Sequence, residues 1–229
     1  MSRRTDITGP ALVRLLSRLT NVDAPEPRQA FADRLSQWLG WTDAISLSAA
    51  LNGSPAAAQL TRAPASAEEA EFTRVRSALV KAIAEDSILA PGKGRGHPRG
   101  AAQAAPAEAP VADFAPYRLR YQDRQQAMDA GIGPLRERLR ARLAARSPAM
   151  ARLAAVDAVM ERALGEQERK LLAGVPALLE KRFEHLRRGA DQAAGWQDAF
   201  GRDMQGVLLA ELDIRFQPIE GLLDALRKS

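Results

Sequence analysis

The chain contains no cysteine. That removes disulfides, thiol catalysis and every cysteine-based metal site, and it suits a reducing compartment. Histidine is scarce too, with only His97 and His185 among 229 residues. A di-iron site in a helix bundle needs Glu-x-x-His, yet Arg182 stands three residues before His185, and no His-x-x-x-His pair exists. His185 is therefore expected to cap a turn or meet solvent, and neither a metal nor a cofactor is expected. Aromatic residues make up 5% of the chain, too few for base-stacking surfaces or sugar platforms. No run approaches the ~18 apolar residues needed to cross a bilayer. The opening MSRRTDITGPALVRLLSRL is interrupted by Arg14 and Arg18 and does not read as a secretory signal. A cytoplasmic protein is the expectation.

Reaction motifs are missing as well. Ser54 lies between Gly53 and Pro55, so there is no Gly-x-Ser-x-Gly elbow. The stretch PGKGRGHPRG (91–100) has the look of a phosphate loop but not its grammar. Gly92–Lys93 is followed by Gly94 rather than Ser or Thr, and neither Gly92-x-Gly94 nor Gly94-x-Gly96 continues to a third glycine at the dinucleotide spacing. No strand precedes it, which both motifs require.

What the chain does have is 46% hydrophobic and 27% charged residues, enough to bury a core. Leu and Ala dominate the apolar content, and such unbranched side chains lose little freedom on a helix. The net charge of +5, carried mostly by arginine, suits solubility better than tight nucleic-acid binding.

Periodicity predicts helices along most of the length. Thr8–Gly9–Pro10 opens one carrying Leu12, Leu15, Leu16 and Leu19 on a face. After Pro25 and Pro27 a second carries Phe31, Leu35 and Trp38 and stops at Gly40. Thr42 is expected to cap a third, with Ile45 and Leu51 buried. Ser66 and Glu69 form a capping-box pattern, with Glu68 favourably placed on the dipole, ahead of Phe72, Val75, Leu79 and Ile83. PGKGRGHPRG and the following AAQAAPAEAPVA read as a mobile linker. This divides the chain into an N-terminal short-helix unit (1–90), the Gly/Pro/Ala-rich linker (91–112) and a C-terminal long-helix bundle or coiled-coil-like arms (113–229). In that last region Phe114, Tyr117 and Tyr121 come first, and Gly131–Ile132–Gly133–Pro134 predicts a break before Leu135, Leu139 and Leu143. Ser147–Pro148 predicts a helix start ahead of Met150, Leu153, Val156, Met160 and Leu164. Gly174–Val175–Pro176 predicts a stop or kink before Leu179, Phe183 and Leu186. A last helix, bent at Pro218, carries Trp196, Phe200, Met204, Val207, Leu208, Ile219, Leu223 and Leu226.

Three surface features remain open to a functional reading. In PLRERLRARLAAR, Arg136 and Arg140 flank the Leu135–Leu139–Leu143 stripe on one side, with Arg138 and Arg142 on the other. Such a helix suits acidic protein, nucleic-acid backbone or anionic lipid, or it packs with its cations paired to acidic residues elsewhere. Lys93, Arg95 and Arg99 could serve as an arm for an anionic partner, although a plain strap is the simpler reading. Trp38 and Trp41 either pack the corner of a helix turn or form a partner hot spot. Asp157 and Glu161, at i and i+4, resemble a paired-carboxylate site but fit an exposed charge ladder better.

Taken together, TGPALVRLLSRLT, LSQWLGWTDAISLSAAL, SPAMARLAAVDAVMERAL and VPALLEKRFEHLRR resemble an uncharacterised bacterial family known only as a domain of unknown function. The similarity spans most of the chain and is weakest across 52–65 and 91–112. No functional residue comes with it. The resemblance implies an accessory of an envelope complex, because members tend to be encoded beside proteins similar to motor stators and peptidoglycan-binding outer-membrane proteins. The expectation is an all-α, non-catalytic interaction or scaffold protein with an unidentified protein partner and a possible homodimer. The alternative is a nucleic-acid or anionic-surface binder working through 135–146.

Overall fold

A computed structural model of the chain describes residues 10–20, 31–53, 65–89, 113–189 and 195–229. The linker stretch with Lys93, Arg95, His97 and Arg99 lies outside the described residues, as do Pro25 and Pro27. Among the described residues there are eight helices and no strand. They are α1 (Ala11–Thr20), α2 (Phe31–Trp38), α3 (Trp41–Asn52), α4 (Ala65–Ala84), α5 (Ala115–Ala144), α6 (Pro148–Leu172), α7 (Val175–Arg188) and α8 (Trp196–Lys228). None is long and apolar enough to cross a membrane.

The core is built on α5 against α8. Tyr117, Tyr121, Met128, Ile132, Leu135, Leu139 and Leu143 line one face of α5 at steps of three, four and seven. They meet the row on α8 that includes Phe200, Met204, Leu208, Leu212, Phe216, Ile219 and Leu223. Helix α4 lies on both, α6 packs on α5, and α1 and α7 pack on α8. Leu12, Ile83 and Leu89 are buried in the same cluster as Leu143 and Leu226, so helices from both sides of the 91–112 stretch share one core. At one end Phe114, Tyr117, Phe183, Trp196 and Phe200 cluster in edge-to-face and tilted pairs, with ring centroids 5.0–6.1 Å apart. Helices α2 and α3 sit outermost, on α6.

Local signals account for several ends. The Ser147 hydroxyl accepts from the Met150 amide at 3.3 Å with Pro148 at the first helical position, as expected. The expected break at Gly174–Val175–Pro176 is the junction of α6 and α7. At the end of α4 the Gln205 side chain donates to the Ile83 and Ala84 carbonyls at 3.2 and 3.3 Å, satisfying acceptors that the helix end leaves open.

Other expectations need correcting. Gly131–Pro134 does not break the chain, and α5 runs through it. Gly133 lacks the Cβ that would clash with the proline ring, and the carbonyl that Pro134 leaves free belongs to exposed Ala130. Burial of Ile132 and Leu135 on either side then holds the helix together. Thr42 does not cap α3. Gly40 does, its amide donating to the Asp43 carboxylate at 3.3 Å. Helix α4 starts at Ala65, ahead of the Ser66 expected to cap it, and Glu69 binds Arg227 on α8 instead. Ile45 and Leu51 are exposed rather than buried. On α6 the buried face carries Ala151, Ala154, Val159 and Ala163, while Leu153 is exposed. Small residues there let α6 lie close to its neighbours.

One contact sets the spacing of α8 and the turn after α4. A Cβ added to Gly201 would lie 2.7 Å from the Leu89 carbonyl oxygen, a backbone atom with no freedom to yield. Gly221, on the same helix, has nothing within 4 Å. Gly201→Ala is therefore expected to lower stability by about 1–3 kcal/mol. Gly221→Ala should raise it by about 0.5–1 kcal/mol through helix propensity. Urea unfolding of both variants checks the pair, and equal effects would contradict the close approach.

Candidate functional site

The arginine run occupies about the last three turns of α5, its leucine stripe pointing into the core and its cations falling to either side. On the α6 side, Arg136 grips Asp157 with two donors, at 2.7 and 2.9 Å, and reaches Glu161 at 3.3 Å. Arg140 donates to Asp157 at 2.7 Å and also bonds Glu161. On the α4 side, Arg138 meets Glu68 at 3.2 Å and Glu71 at 3.1 Å, and Arg142 meets Glu68 at 3.1 Å. Arg136 and Arg140 are only 14% and 15% exposed, against 51% for Arg138. Helical spacing explains the arrangement, because i and i+4 residues on α5 face the i and i+4 carboxylates of α6.

Burial alone would push the Asp157 carboxyl up, but the hydrogen bonds from Arg136 and Arg140 outweigh it and hold the group below its ordinary value. Glu71 is lowered to about 2, first by its hydrogen bond from Arg74 and further by the charges of Arg74 and Arg138. Carboxylates held in this way stay ionised at neutral pH. They join helices, Asp157 tying α6 to α5 and Glu71 tying α4 to α5. The Asp157–Glu161 pair, which resembles an acid–base site in sequence, is answered by Arg136 and Arg140, and Asp157 is largely covered rather than part of an exposed ladder.

Two further polar clusters lie deeper, and sequence reading missed both. Glu211 on α8 is fully buried. It accepts from the Tyr121 hydroxyl, from Gln125 at 3.0 and 3.2 Å, and from Arg215 at 2.9 Å, while Arg215 also reaches Asp129 at 2.6 Å. Burial first, and the Glu211 charge second, push the Tyr121 phenol far above its usual range, so it remains a donor. Asp86, in the turn after α4, takes Arg124 from α5 at 2.5 and 3.0 Å and accepts the Ile88 amide at 3.1 Å. The available signal was an acid on the apolar stripe of VLLAELDI, where Glu211 takes a core position and Asp213 an exposed one, and a carboxylate at a core position must have a partner. Among the described residues no group of three or more His, Asp or Glu could hold a metal ion.

Helix α3 presents a different surface. Asp43, Ser46, Leu47 and Ala50 are half-buried, at the spacing of a face turned toward α6. The opposite arc carries Trp41, Ala44, Ile45, Ser48 and Leu51, with no charge among them. Trp41 is 82% exposed, and Ile45 and Leu51 are exposed by more than half. Trp38 is half-buried. The corner-packing reading of the tryptophans is thus incorrect for Trp41, which stands clear of the core because α3 is held on one side only.

A family described as "Protein of unknown function (DUF3348)" matches residues 1–228. The chain belongs to the DUF3348 family. No curated protein and no solved structure matches it.

For this DUF3348 member the paired carboxylates predict a definite acid response. Asp157 and Glu71 have folded-state values below their ordinary 3.8 and 4.5. Their contribution is fully present above those values and is lost as pH falls through the folded ones, which for Glu71 means toward about 2. Asp157→Asn should cost about 1–3 kcal/mol at neutral pH, since it strips two poorly solvated guanidinium groups of a shared anion. The gap to wild type should close as pH drops below the folded value of Asp157, where wild type also carries a neutral group. Urea midpoints measured from neutral to acid pH check this, and a gap that stays constant would contradict it.

Proposed function

We propose that this chain is a non-catalytic interaction protein that docks an apolar helix on the outward face of α3. The observation that carries this reading is the uncharged arc from Trp41 to Leu51, with a tryptophan almost wholly in solvent. Tryptophan is the residue most enriched where binding energy concentrates, and the cost of exposing it is recovered only when it is covered.

The occupant we infer is α3 of a second copy. A strip without charges meets itself without repulsion, and a two-fold interface requires a surface to be its own complement. Laid antiparallel, Trp41 of one copy would cover Leu51 of the other, with Ile45 beside Ser48. The twelve residues of α3 make a strip about 18 Å long. Such a strip supplies roughly half the ~800 Å² per partner of a standard interface, so the association is expected to be weak and dependent on concentration. We place the protein in the cytoplasm beside an envelope complex, the setting the resemblance implies. Binding of nucleic acid or an anionic surface through Arg136, Arg138, Arg140 and Arg142 is the weaker reading, because Glu68, Glu71, Asp157 and Glu161 already occupy those donors.

Sedimentation equilibrium from about 1 to 200 μM tests the proposal. Wild type is expected to shift from monomer toward dimer across that range. Trp41→Ser with Ile45→Ser should stay monomeric while keeping its helical signal and melting temperature, since neither side chain supports the core. A wild type that is monomeric throughout, or a double variant that still dimerises, overturns the reading.

A further inference from the structure

We infer that the cleft between the C-terminal ends of α1 and α7 is a binding site for a small, multiply charged phosphate compound. This site is separate from the α3 face and does not depend on it. The cleft has a volume of about 470 Å³, and its walls carry Arg18 and Thr20 from α1 and Lys181, Arg182, His185 and Arg188 from α7. Lys181, His185 and Arg188 stand at i, i+4 and i+7, so they form one stripe on α7 facing Arg18 across the gap.

What sets the cleft apart is that its cations share one concavity. On α5 and α8, Arg118, Arg124, Arg136, Arg138, Arg140, Arg142, Arg215 and Arg227 each bind one or more carboxylates. Around the cleft only two of the five basic groups do. Arg182 reaches Asp203 at 2.9 Å, and Arg188, largely in solvent, reaches Glu184 at 3.0 Å. Among the described residues Arg18, Lys181 and His185 have no ion-pair partner, and no carboxylate lines the concavity. The Thr20 hydroxyl spends its proton on the Leu16 carbonyl at 2.8 Å, which stops short of neutralising anything.

Helix ends favour basic residues, and that accounts for Arg18 and Arg188 one helix at a time. It does not account for Lys181, two turns from the end of α7, nor for two basic ends sharing a hollow that no carboxylate lines among the described residues. Crowding like charges there is unfavourable, and the apposition of α1 and α7 is sustained by apolar contacts beneath it, with Leu12, Leu179 and Phe183 in the core. A hollow lined by one sign of charge concentrates field and draws in the opposite charge. The guanidinium of Arg18 offers a planar fork for two oxygens and Lys181 a compact point charge, a pairing suited to phosphate. The volume lies within the range of small-molecule sites and exceeds what one phosphate fills, which points to a diphosphate or a phosphate ester.

Inorganic pyrophosphate is the probe. Titrated calorimetrically into the full chain at neutral pH and low salt, it is expected to bind at one saturable site with a dissociation constant of about 10–500 μM. Arg18→Ala with Lys181→Ala should weaken binding at least about tenfold. Arg152→Ala with Arg169→Ala removes the same charge from exposed positions on α6 and should change it by less than about twofold. All four substituted side chains are exposed, so helical signal and melting temperature should be unchanged. Absence of saturable heat in wild type, or equal weakening by the two double variants, overturns the assignment.

Discussion

Three carboxylates inside a helical core set the terms for everything around them. Glu68, Asp86 and Glu211 are all but removed from water, and an ionised group so placed costs several kcal/mol unless it is fully hydrogen-bonded. Helix α5 answers all three. Arg138 and Arg142 serve Glu68, Arg124 serves Asp86, and Tyr121 and Gln125 serve Glu211 with help from Arg215. The same helix adds Arg118 to Glu180 on α7 and Arg136 and Arg140 to α6. Each helix around α5 is thus keyed to it at a defined register. Apolar stripes alone would tolerate sliding by a turn, whereas a buried carboxylate one turn out of place would lose its partner. Arginine suits this work better than lysine, since its fork serves two carboxylates at once, as at Asp157 and Glu161.

Much of the architecture was legible because helix formation leaves local marks. The α5 and α8 stripes, the Ser147–Pro148 start and the Gly174 junction each follow from residues within a turn or two of one another. The failures share the opposite cause. Gly133–Pro134 has the local signature of a break, but the burial of Ile132 and Leu135 by distant helices overrides it. Leu153 and Ile45 fall on plausible stripes, but only packing decides which stripe finds a neighbour. On α6 it was the alanines, which carry little hydrophobic signal, that faced inward.

The arginine run shows the same division within the candidate site. Its composition and two-flank arrangement could be read directly from the sequence. Its partners could not, because they lie 17 to 74 residues away and acidic residues abound throughout. Burial of Glu211 was half-legible as an acid in an apolar run, but Gln125 and Arg215 carry no sign of where they will point. Exposure of Trp41 depends on α3 being covered on one face only, a property of the assembled protein.

Comparing the two basic regions clarifies what charge alone can mean. Arg136–Arg142 looks the more cationic in sequence, yet four carboxylates drain it. The α1–α7 cleft looks unremarkable in sequence because its residues come from opposite ends of the chain, yet few of its cations are drained. Net positive charge is therefore a poor guide to where an anion would bind, and unpaired positive charge in a concavity is a better one. The same reasoning separates the cleft from the α3 strip. The cleft rests on α8 through α1 and α7, the strip rests on α6, and between them runs the α5–α8 core with its keyed ion pairs. A core fixed by so many directional contacts resists sliding, so small shifts at one face are poorly transmitted to the other. The two proposed surfaces, one apolar and one cationic, therefore differ in chemistry and rest on different helices of the shared core.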